Sequence, residues 1–238
     1  MEEFLNQNYS VLTKVLELIA AFTGLLLLRK YKKTSVKYFI YFLVYVAIIE
    51  LIAAYPRYVE DYEFLSSIKT ILKGTKFERN FWWYTISWYI GSTLFYSFYF
   101  RMIINNKRYV NIIWVTTLIF IISAIINIVV QWETFFVSLL PFVNNFGTGV
   151  ILMCVIFYFT EILQSDKILS FHKSINFIIS TVLLIWFLIV TPLVFYQMYF
   201  STADWQFIFS RRMIFLFSNI FMYLTFTFAL IWCKPQNN

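Results

Sequence analysis

The chain has 238 residues, of which 61% are hydrophobic, 23% aromatic and only 13% charged. Soluble globular domains carry roughly a quarter charged residues, so this composition excludes a soluble domain and is typical of an integral membrane protein. The formal net charge is +7 at pH 7. Because the cations lie beside apolar segments, we attribute this excess to topology and lipid headgroups and expect no nucleic-acid partner.

Seven apolar segments are each long enough to cross a bilayer core of about 30 Å at 1.5 Å per residue. They predict an all-α membrane protein that forms a single domain, residues 1–238, as a bundle of seven transmembrane helices. The spans are expected at residues 11–28, 38–55, 81–100, 110–130, 135–163, 175–200 and 213–233.

A basic segment, RKYKKTSVK from Arg29 to Lys37, predicts the orientation of the bundle. It contains five cations and no acid. Short loops rich in Lys and Arg are retained on the cytoplasmic side. We therefore expect the N-terminus outside and the C-terminus inside, which assigns 11 cations to cytoplasmic segments and seven to outer ones. The expected location is the inner (plasma) membrane of a bacterial cell, as a multi-pass protein.

The loop between the second and third spans, residues 57–80, has a helical pattern. Apolar residues recur at the spacing of one helical face, at Phe64, Leu65, Ile68, Ile71 and Leu72. Acids suited to a first turn precede them, at Glu60, Asp61 and Glu63, and Gly74 suits the stop. The pattern predicts a short amphipathic helix on the outer surface with its apolar face buried, either a passive connector or a lid.

Ionisable and amide side chains inside or beside the spans are the first candidates for a site. A charged group within the hydrocarbon costs about 2–3 kcal/mol unless it is paired or hydrated, so it normally faces the bundle interior. The predicted polar cluster, which would bind a ligand, consists of Lys14, Glu17, Glu50, Asn127, Asn144, Asn145, Arg211 and Arg212. The alternative is structural: a clamp between the first two helices, with interhelical hydrogen bonds from the amides.

Aromatic residues at the start of the third span are the candidate rim of an outward-facing pocket. They are Trp82, Trp83, Tyr84 and Trp88. The alternative is an interfacial belt, in which Trp and Tyr anchor spans at the headgroup level. The segment PFVNNFGTG in the fifth span contains Pro141, Gly147 and Gly149 and is predicted to be kinked or locally unwound. Pro192 is expected to kink the sixth span.

No residue set has the pattern of a catalytic or metal centre, so we expect no enzyme, no cofactor and no metal. His172 is the only histidine, and there is no HExxH, GxSG or glycine-rich phosphate loop. Cys154 and Cys233 have neither CxxC nor metal-ligand spacing. The seventh span contains no lysine that could hold retinal.

The overall form resembles a group of small bacterial membrane proteins. The features that carry this resemblance are the length, the word ELIA near the outer end of the second span and the terminal IWCK. The chain resembles small uncharacterised seven-transmembrane-helix proteins of Bacteroidetes-type bacteria, and the resemblance brings no functional residue with it.

Two classes of function agree with these features. The first is a non-enzymatic sensory or signal-relay protein with an outward-facing polar and aromatic pocket. Besides the lipid bilayer, it would have a signalling partner at the basic inner loops. The second is a small-solute transporter or channel, although paired repeats with broken helices in corresponding places are not evident. A structural subunit of a membrane complex is a further alternative.

Overall fold

The computed structural model describes residues 2–165, 173–196 and 205–235, which are helical with connecting turns and contain no strand. Six helices in these ranges are long and apolar enough to cross a membrane. The chain is therefore an all-α, multi-pass membrane protein, as predicted. The six spans are Asn8–Leu27, Val36–Ala53, Lys107–Val130, Pro141–Leu163, Ile175–Leu193 and Phe207–Trp232.

The described ranges contain eleven α-helical segments, a 3₁₀ turn at Glu63–Leu65 and a π-helical segment at Tyr84–Ile90. The α-helices are α1 Glu2–Leu27, α2 Val36–Ala53, α3 Tyr55–Asp61, α4 Ser66–Leu72, α5 Phe81–Trp83, α6 Gly91–Ile103, α7 Lys107–Val130, α8 Trp132–Val137, α9 Pro141–Leu163, α10 Ile175–Tyr196 and α11 Trp205–Trp232.

The chain divides into two compact units by its internal contacts. The first unit consists of Met1–Ala47 and Ile162–Asn238, and the second is Ile48–Glu161. The division falls within α2, which contributes its first twelve residues to one unit and its last six to the other. The predicted single domain stays a prediction.

The first unit is organised around α11, which packs against α1 and α10. Phe39 of α2 meets Phe226 of α11 edge to face, with ring centroids 4.9 Å apart. Gly24 allows α1 to approach α2, because a Cβ at this position would lie 3.0 Å from the Ile40 side chain. Small residues at such crossings let membrane helices pack closely.

The basic segment after α1 closes over the C-terminus of α11. Lys30 Nζ donates to the carbonyl oxygens of Leu230 and Ile231 at 3.0 and 2.9 Å. The buried Tyr31 hydroxyl lies 2.9 and 2.8 Å from the carbonyl oxygens of Leu230 and Cys233 and shares its single proton between these two acceptors. These donors satisfy carbonyls that the end of a helix leaves unpaired. Because the two C-terminal ends lie together, α1 and α11 are parallel.

Burial changes the protonation equilibria of this C-terminal clamp, which we define as Lys30 and Tyr31. It raises the pKa of Tyr31 to about 12, because the ionised phenolate would lose its hydration. It lowers the pKa of Lys30 for the same reason. Neutral Tyr31 is therefore the form that the folded clamp favours.

In the second unit, α6, α7 and α9 pack around small and aromatic residues. Gly147 of α9 lies against α6, where an added Cβ would be 2.5 Å from Thr93 Oγ1. Phe120 of α7 packs edge to face on Phe146, with centroids 5.6 Å apart. The Glu161 carboxylate joins the end of α9 to the turn before α7. It accepts hydrogen bonds of 2.9–3.0 Å from the backbone N–H groups of Asn105 and Asn106 and from the side-chain amide of Asn105.

The predicted third span is helical but not uniformly α-helical. α5, the π-helical segment and α6 follow one another without a break from Phe81 to Ile103. π-Helical turns contain an extra residue relative to the α-helix and occur frequently at functional sites. Nothing in the composition of this span predicted the interruption.

The predicted fifth span, residues 135–163, is wrong at its start. Its first residues belong to the separate helix α8, and α9 begins at Pro141. The expected local unwinding is also wrong, because PFVNNFGTG forms the first turns of the α-helix α9, while the expected kink stays a prediction. Proline suits a first helical turn, where its missing N–H has no intrahelical partner to lose.

Three other span boundaries differ from the sequence-based ones. α1 begins at Glu2 rather than at residue 11. α11 begins at Trp205, so Arg211 and Arg212 lie within the helix instead of flanking its start. α10 continues through Pro192 to Tyr196, and residues 197–200 of the predicted sixth span lie outside the described residues, as does His172.

The outer loop is helical, as predicted, but its organisation differs. It contains two short helices, α3 and α4, joined through the 3₁₀ turn, so that Glu60 and Asp61 end α3 instead of beginning the amphipathic helix. Gly74 adopts a left-handed conformation with φ of 77° just beyond α4, as a helix stop requires. The prediction of a buried apolar face is wrong, because Phe64 and Ile68 are exposed while Leu65 and Leu72 are only half-buried.

Candidate functional site

The best-defined polar contact near the end of a span joins Glu50 of α2 to Tyr84. The Tyr84 hydroxyl donates to Glu50 Oε2 at 2.8 Å, and both side chains are half-buried. Tyr84 is the first residue of the π-helical segment. From the cost of a lone carboxylate in a span, Glu50 is expected to bond a polar group of another helix, and this contact agrees with that expectation. The partner differs from the expected ones, which were Lys14, Asn127, Asn144, Arg211 and Arg212, because Tyr84 had been assigned to the pocket rim.

Neighbouring side chains strengthen the attachment between the end of α2 and the start of the third span. Trp83 Nε1 donates to the Ile49 carbonyl oxygen at 3.1 Å. The Asn80 side-chain amide donates to the Ala53 carbonyl oxygen at 2.6 Å. Trp83 and Tyr84 thus hold consecutive residues of α2, which positions the Glu50 carboxylate against the π-helical segment.

Tyr55 closes the base of the outer loop above this contact. Its hydroxyl donates to the carbonyl oxygen of Phe77 and lies 2.9 Å from that of Arg79. Trp82 Nε1 lies 3.4 Å from the same hydroxyl, which accepts its hydrogen. The two ends of the loop are therefore held together by side chain to main chain hydrogen bonds.

An aromatic cluster around α8 covers the same end of the second unit. Phe77 packs edge to face on Trp82 and on Phe136, at centroid distances of 5.4 and 5.7 Å. Lys76 forms an ion pair of 2.7 Å with Glu133, beside the Phe136 ring. Such packing attaches the start of the third span to α8.

The amides of the predicted polar cluster occupy different levels of the second unit. Asn105 lies in the turn between the third span and α7. Trp83 precedes Asn105 by 22 residues and Asn127 follows it by 22 residues. Because the chain reverses direction at this turn, Asn127 lies near the level of Trp83 and Tyr84. Its Oδ1 is buried and has no hydrogen-bond partner among the described residues. Asn144 and Asn145 are half-buried in the first turns of α9.

A row of buried hydroxyl groups follows Tyr84 along the third span, and sequence reasoning missed it. The row consists of Thr85, Ser87, Ser92, Thr93 and Ser97. Thr85 and Thr93 donate back to carbonyl oxygens one turn earlier in their own helix, at 3.0 and 2.7 Å. Ser92 Oγ is buried without a hydrogen-bond partner among the described residues. Counting the small polar residues of the third span would have revealed these hydroxyls, although at 100° per residue they do not share one helical face.

The remaining members of the predicted cluster lie in the first unit. Glu17 is buried, at 5% exposure, and Lys14 is half-buried one turn earlier on the same face of α1. Arg211 is half-buried and Arg212 exposed. The predicted cluster is thus divided between units, with Glu50, Asn127, Asn144 and Asn145 in the second.

Glu17 has a polar residue of α11 at its own level. Glu17 is 14 residues before Tyr31, and Ser218 is 12 residues before Leu230, so both lie roughly 20 Å from the C-terminal clamp along parallel helices. Ser218 is buried. The next residue, Asn219, accepts a hydrogen bond of 2.9 Å from Trp186 Nε1 of α10. The hydrogen bond between Trp186 and Asn219 is typical of polar attachment between membrane helices.

The chemistry of the Glu50 contact defines what it could bind. An ionised carboxylate only accepts hydrogen bonds, and the buried Asn127 oxygen near its level is also an acceptor. The described part of the chain contains no group of three or more His, Cys, Asp or Glu side chains that could hold a metal ion. The site therefore suits a ligand with N–H or O–H donors, above all a cationic one.

No family model, curated protein or solved structure matches the chain. The resemblance to small bacterial seven-helix proteins stays a prediction.

Proposed function

We propose that the chain is a non-enzymatic sensory or signal-relay protein of the plasma membrane, with seven spans and the N-terminus outside. The observation that carries this proposal is the hydrogen bond from Tyr84 to Glu50, at the first residue of the π-helical segment. This hydrogen bond connects Glu50, whose carboxylate can accept hydrogen bonds from a ligand, to the π-helical segment, which can change its winding.

The C-terminal clamp supports the count of seven. Lys30 and Leu230 are hydrogen-bonded, so they lie on the same side of the membrane. Five of the six long apolar helices lie between them in sequence, and five crossings would leave them on opposite sides. A further crossing makes the number even. The helical run from Phe81 to Ile103 has 23 residues, enough for about 30 Å of hydrocarbon.

The proposed mechanism begins with competition for the Glu50 carboxylate. A small ammonium or guanidinium compound would bind the carboxylate through hydrogen bonds from a charged donor, which add ion pairing that the Tyr84 hydroxyl, a neutral donor, cannot supply. Once Tyr84 is released, the π-helical turn can rewind into an α-helix. The ligand shifts the equilibrium only by its different affinity for the two windings.

Rewinding would be transmitted along α6. This helix runs without a break from the π-helical segment to the turn that Glu161 holds before α7. A change in winding at one end would rotate α6 and alter the turn at the other end. A signalling partner would bind the basic segments, of which one adjoins the C-terminal clamp and the other adjoins this turn.

The test uses full-length protein purified in detergent and a panel of small primary amines and guanidines, with thermal unfolding as the readout. We expect at least one compound to raise the melting temperature of the wild type but not of Glu50→Gln. Tyr84→Phe removes the competing donor while preserving the ring, so the same compound should bind this variant several-fold more tightly.

The structural alternative predicts a different result. If Glu50 and Tyr84 only join two helices, both variants lose stability and no compound of the panel changes the melting temperature of the wild type. A compound that stabilises wild type and Glu50→Gln equally would also refute the assignment of Glu50 as the acceptor.

A small-solute transporter is the second candidate, and the row of buried hydroxyls along the third span is the observation that favours it. Uptake of the stabilising compound into proteoliposomes separates the two functions. Saturable uptake that Glu50→Gln abolishes would support the transporter, whereas binding without uptake supports the sensor.

A further inference from the structure

The ammonium group of Lys76 lies in a corner formed by two aromatic rings of α8. The rings of Trp132 and Phe136 meet at an interplanar angle of 82°, with centroids 5.2 Å apart. Lys76 Nζ lies over both rings, 5.7 Å from the Trp132 centroid and 5.5 Å from that of Phe136. Glu133 Oε1 is 2.7 Å from the same nitrogen. We define Trp132, Glu133 and Phe136 as the α8 cage, and the cation in it belongs to the chain itself.

Contacts that do not involve Lys76 hold the walls of the α8 cage. The buried Phe135 stacks on Trp132 with centroids 6.1 Å apart and packs edge to face on Phe136 at 4.9 Å. Phe77 packs on Phe136 at 5.7 Å. The two walls should therefore keep their positions when the lysine leaves the cage.

The outer loop does not depend on Lys76 for its closure. Tyr55 holds the end of the loop through its hydrogen bond of 2.9 Å to the Arg79 carbonyl oxygen. The Lys76 side chain is 46% exposed and that of Glu133 is 79% exposed. Because water competes for an exposed ion pair, such a pair contributes little to stability. A dissolved cation can therefore replace the lysine without opening the base of the loop.

The chemistry of the α8 cage favours a weakly hydrated organic cation. The face of an aromatic ring is its negative side, and quaternary ammonium groups are the ligands that aromatic cages typically recognise. A metal ion such as Ca²⁺ takes roughly six to eight oxygen ligands, whereas the cage provides one carboxylate. We propose that the α8 cage is a binding site for a small methylated ammonium compound from the surrounding water, and that Lys76 is its built-in competitor.

This inference goes beyond the proposed function at Glu50. A quaternary ammonium group carries no N–H, so it cannot replace the Tyr84 hydroxyl as a hydrogen-bond donor. The two sites can therefore be tested separately with different probes.

The experiment titrates full-length protein in maltoside detergent with tetramethylammonium, and with tert-butanol as an uncharged compound of similar size. Saturation-transfer NMR of the methyl protons measures binding. The variant Lys76→Gln removes the competitor, and Lys73→Gln, at the preceding lysine, is the matched control because Lys73 is also exposed. Thermal unfolding of each variant without ligand verifies that it is folded.

We expect Lys76→Gln to bind tetramethylammonium about five- to tenfold more tightly than the wild type or Lys73→Gln, because an exposed ion pair and a cation–π contact no longer compete. Adding Glu133→Gln or Trp132→Leu to Lys76→Gln should weaken binding about fivefold. Glu133→Gln keeps the shape of an exposed side chain, so this double variant should stay folded. Binding of tert-butanol should be undetectable.

Three results would overturn the proposal. The first is the same affinity for tetramethylammonium in Lys76→Gln and Lys73→Gln, or no binding by either variant. The second is binding that persists unchanged after both Glu133→Gln and Trp132→Leu. The third concerns the source of the cation: phosphatidylcholine added to the micelles should leave the affinity of Lys76→Gln unchanged. A weaker affinity would mean that a lipid headgroup, rather than a dissolved compound, occupies the cage.

Discussion

Gly147 shows how strongly a single position constrains the second unit. A Cβ at this residue would lie 2.5 Å from Thr93 Oγ1 and 3.4 Å from two carbons of the Phe120 ring. Glycine is therefore required by the close approach of α9 to α6 and α7 rather than by backbone conformation. Two residues later, Gly149 has nothing within 4 Å of the corresponding point.

The two glycines form a matched pair for mutation. Gly147→Ala should lower the free energy of unfolding by about 1–3 kcal/mol, because the added methyl group forces the helices apart. Gly149→Ala should be neutral or stabilise by up to about 1 kcal/mol, because alanine is the better helix former. Unfolding of both variants in detergent measures the difference, and equal effects would contradict the packing described for α6 and α9.

The Glu50 contact illustrates what single residues allow one to predict. The cost of an isolated carboxylate near the end of a span was enough to predict an interhelical hydrogen bond. The partner was not predicted, because the Tyr84 side chain reaches Glu50 only in the particular orientation that α5 and the π-helical segment adopt. Tyr84 had been grouped with Trp82, Trp83 and Trp88 as a candidate pocket rim, with an interfacial belt as the alternative.

At the scale of elements, the π-helical segment makes a prediction that a regular helix would not. A π-helical turn carries one residue more than the α-helix needs. Deleting Ile86, which is exposed, should let the π-helical segment rewind into an α-helix. The residues before and after the deletion should then still point in their original directions. The melting temperature should then change by only a few degrees, and the amine or guanidine response should be lost.

The control deletion is Leu94, an exposed residue of the regular helix α6. Removing it turns every later residue of α6 by about 100° and moves buried residues such as Ser97 and Phe100 out of register. This variant should be much less stable than the Ile86 deletion. Equal losses of stability would show that residues 84–90 are not an adaptable turn.

The C-terminal clamp gives a prediction for alkaline pH. Tyr31→Phe removes a buried hydrogen bond to the end of α11 and should lower the free energy of unfolding by roughly 1 kcal/mol near neutral pH. The pKa of Tyr31 is raised from 10.0 to about 12 in the folded state. Its contribution is therefore fully present below pH 10 and is lost as the pH rises towards 12.

The advantage of the wild type over Tyr31→Phe should accordingly shrink across that interval. Denaturant unfolding at several pH values measures it, and Tyr41→Phe is the control because Tyr41 is half exposed on α2. A stability difference that stays constant from pH 8 to pH 12 would contradict burial of the neutral phenol in the clamp.

Elements were predictable where composition alone determines them. Long apolar runs located α2, α7 and α10 to within a few residues at the described ends, because crossing hydrocarbon demands length and apolarity. Irregular geometry was not predictable in this way. Proline and glycine suggested an unwound segment in α9, yet Pro141 begins a regular helix, while the third span contains a π-helical turn that no proline marks.

At the scale of the whole molecule, the count and the orientation of the spans can be tested together. Seven crossings place Lys33 and Lys234, which follows α11, on the same side of the membrane, and the exposed Ser67 of α4 on the other. With six crossings, Lys33 and Lys234 would lie on opposite sides. All three residues are exposed, so a cysteine at each would be accessible to a thiol reagent on its own side of the membrane.

We expect a membrane-impermeant thiol reagent to label Ser67→Cys in intact cells, and Lys33→Cys and Lys234→Cys only after permeabilisation. The reason is electrostatic, since five cations between Arg29 and Lys37 favour the cytoplasmic side. The buried native cysteines give the background signal in the unmodified protein. Labelling of Lys33→Cys and Lys234→Cys in intact cells, with Ser67→Cys protected, would reverse the orientation but keep the count. Opposite behaviour of Lys33→Cys and Lys234→Cys would leave six crossings and contradict the side of the membrane that the C-terminal clamp requires.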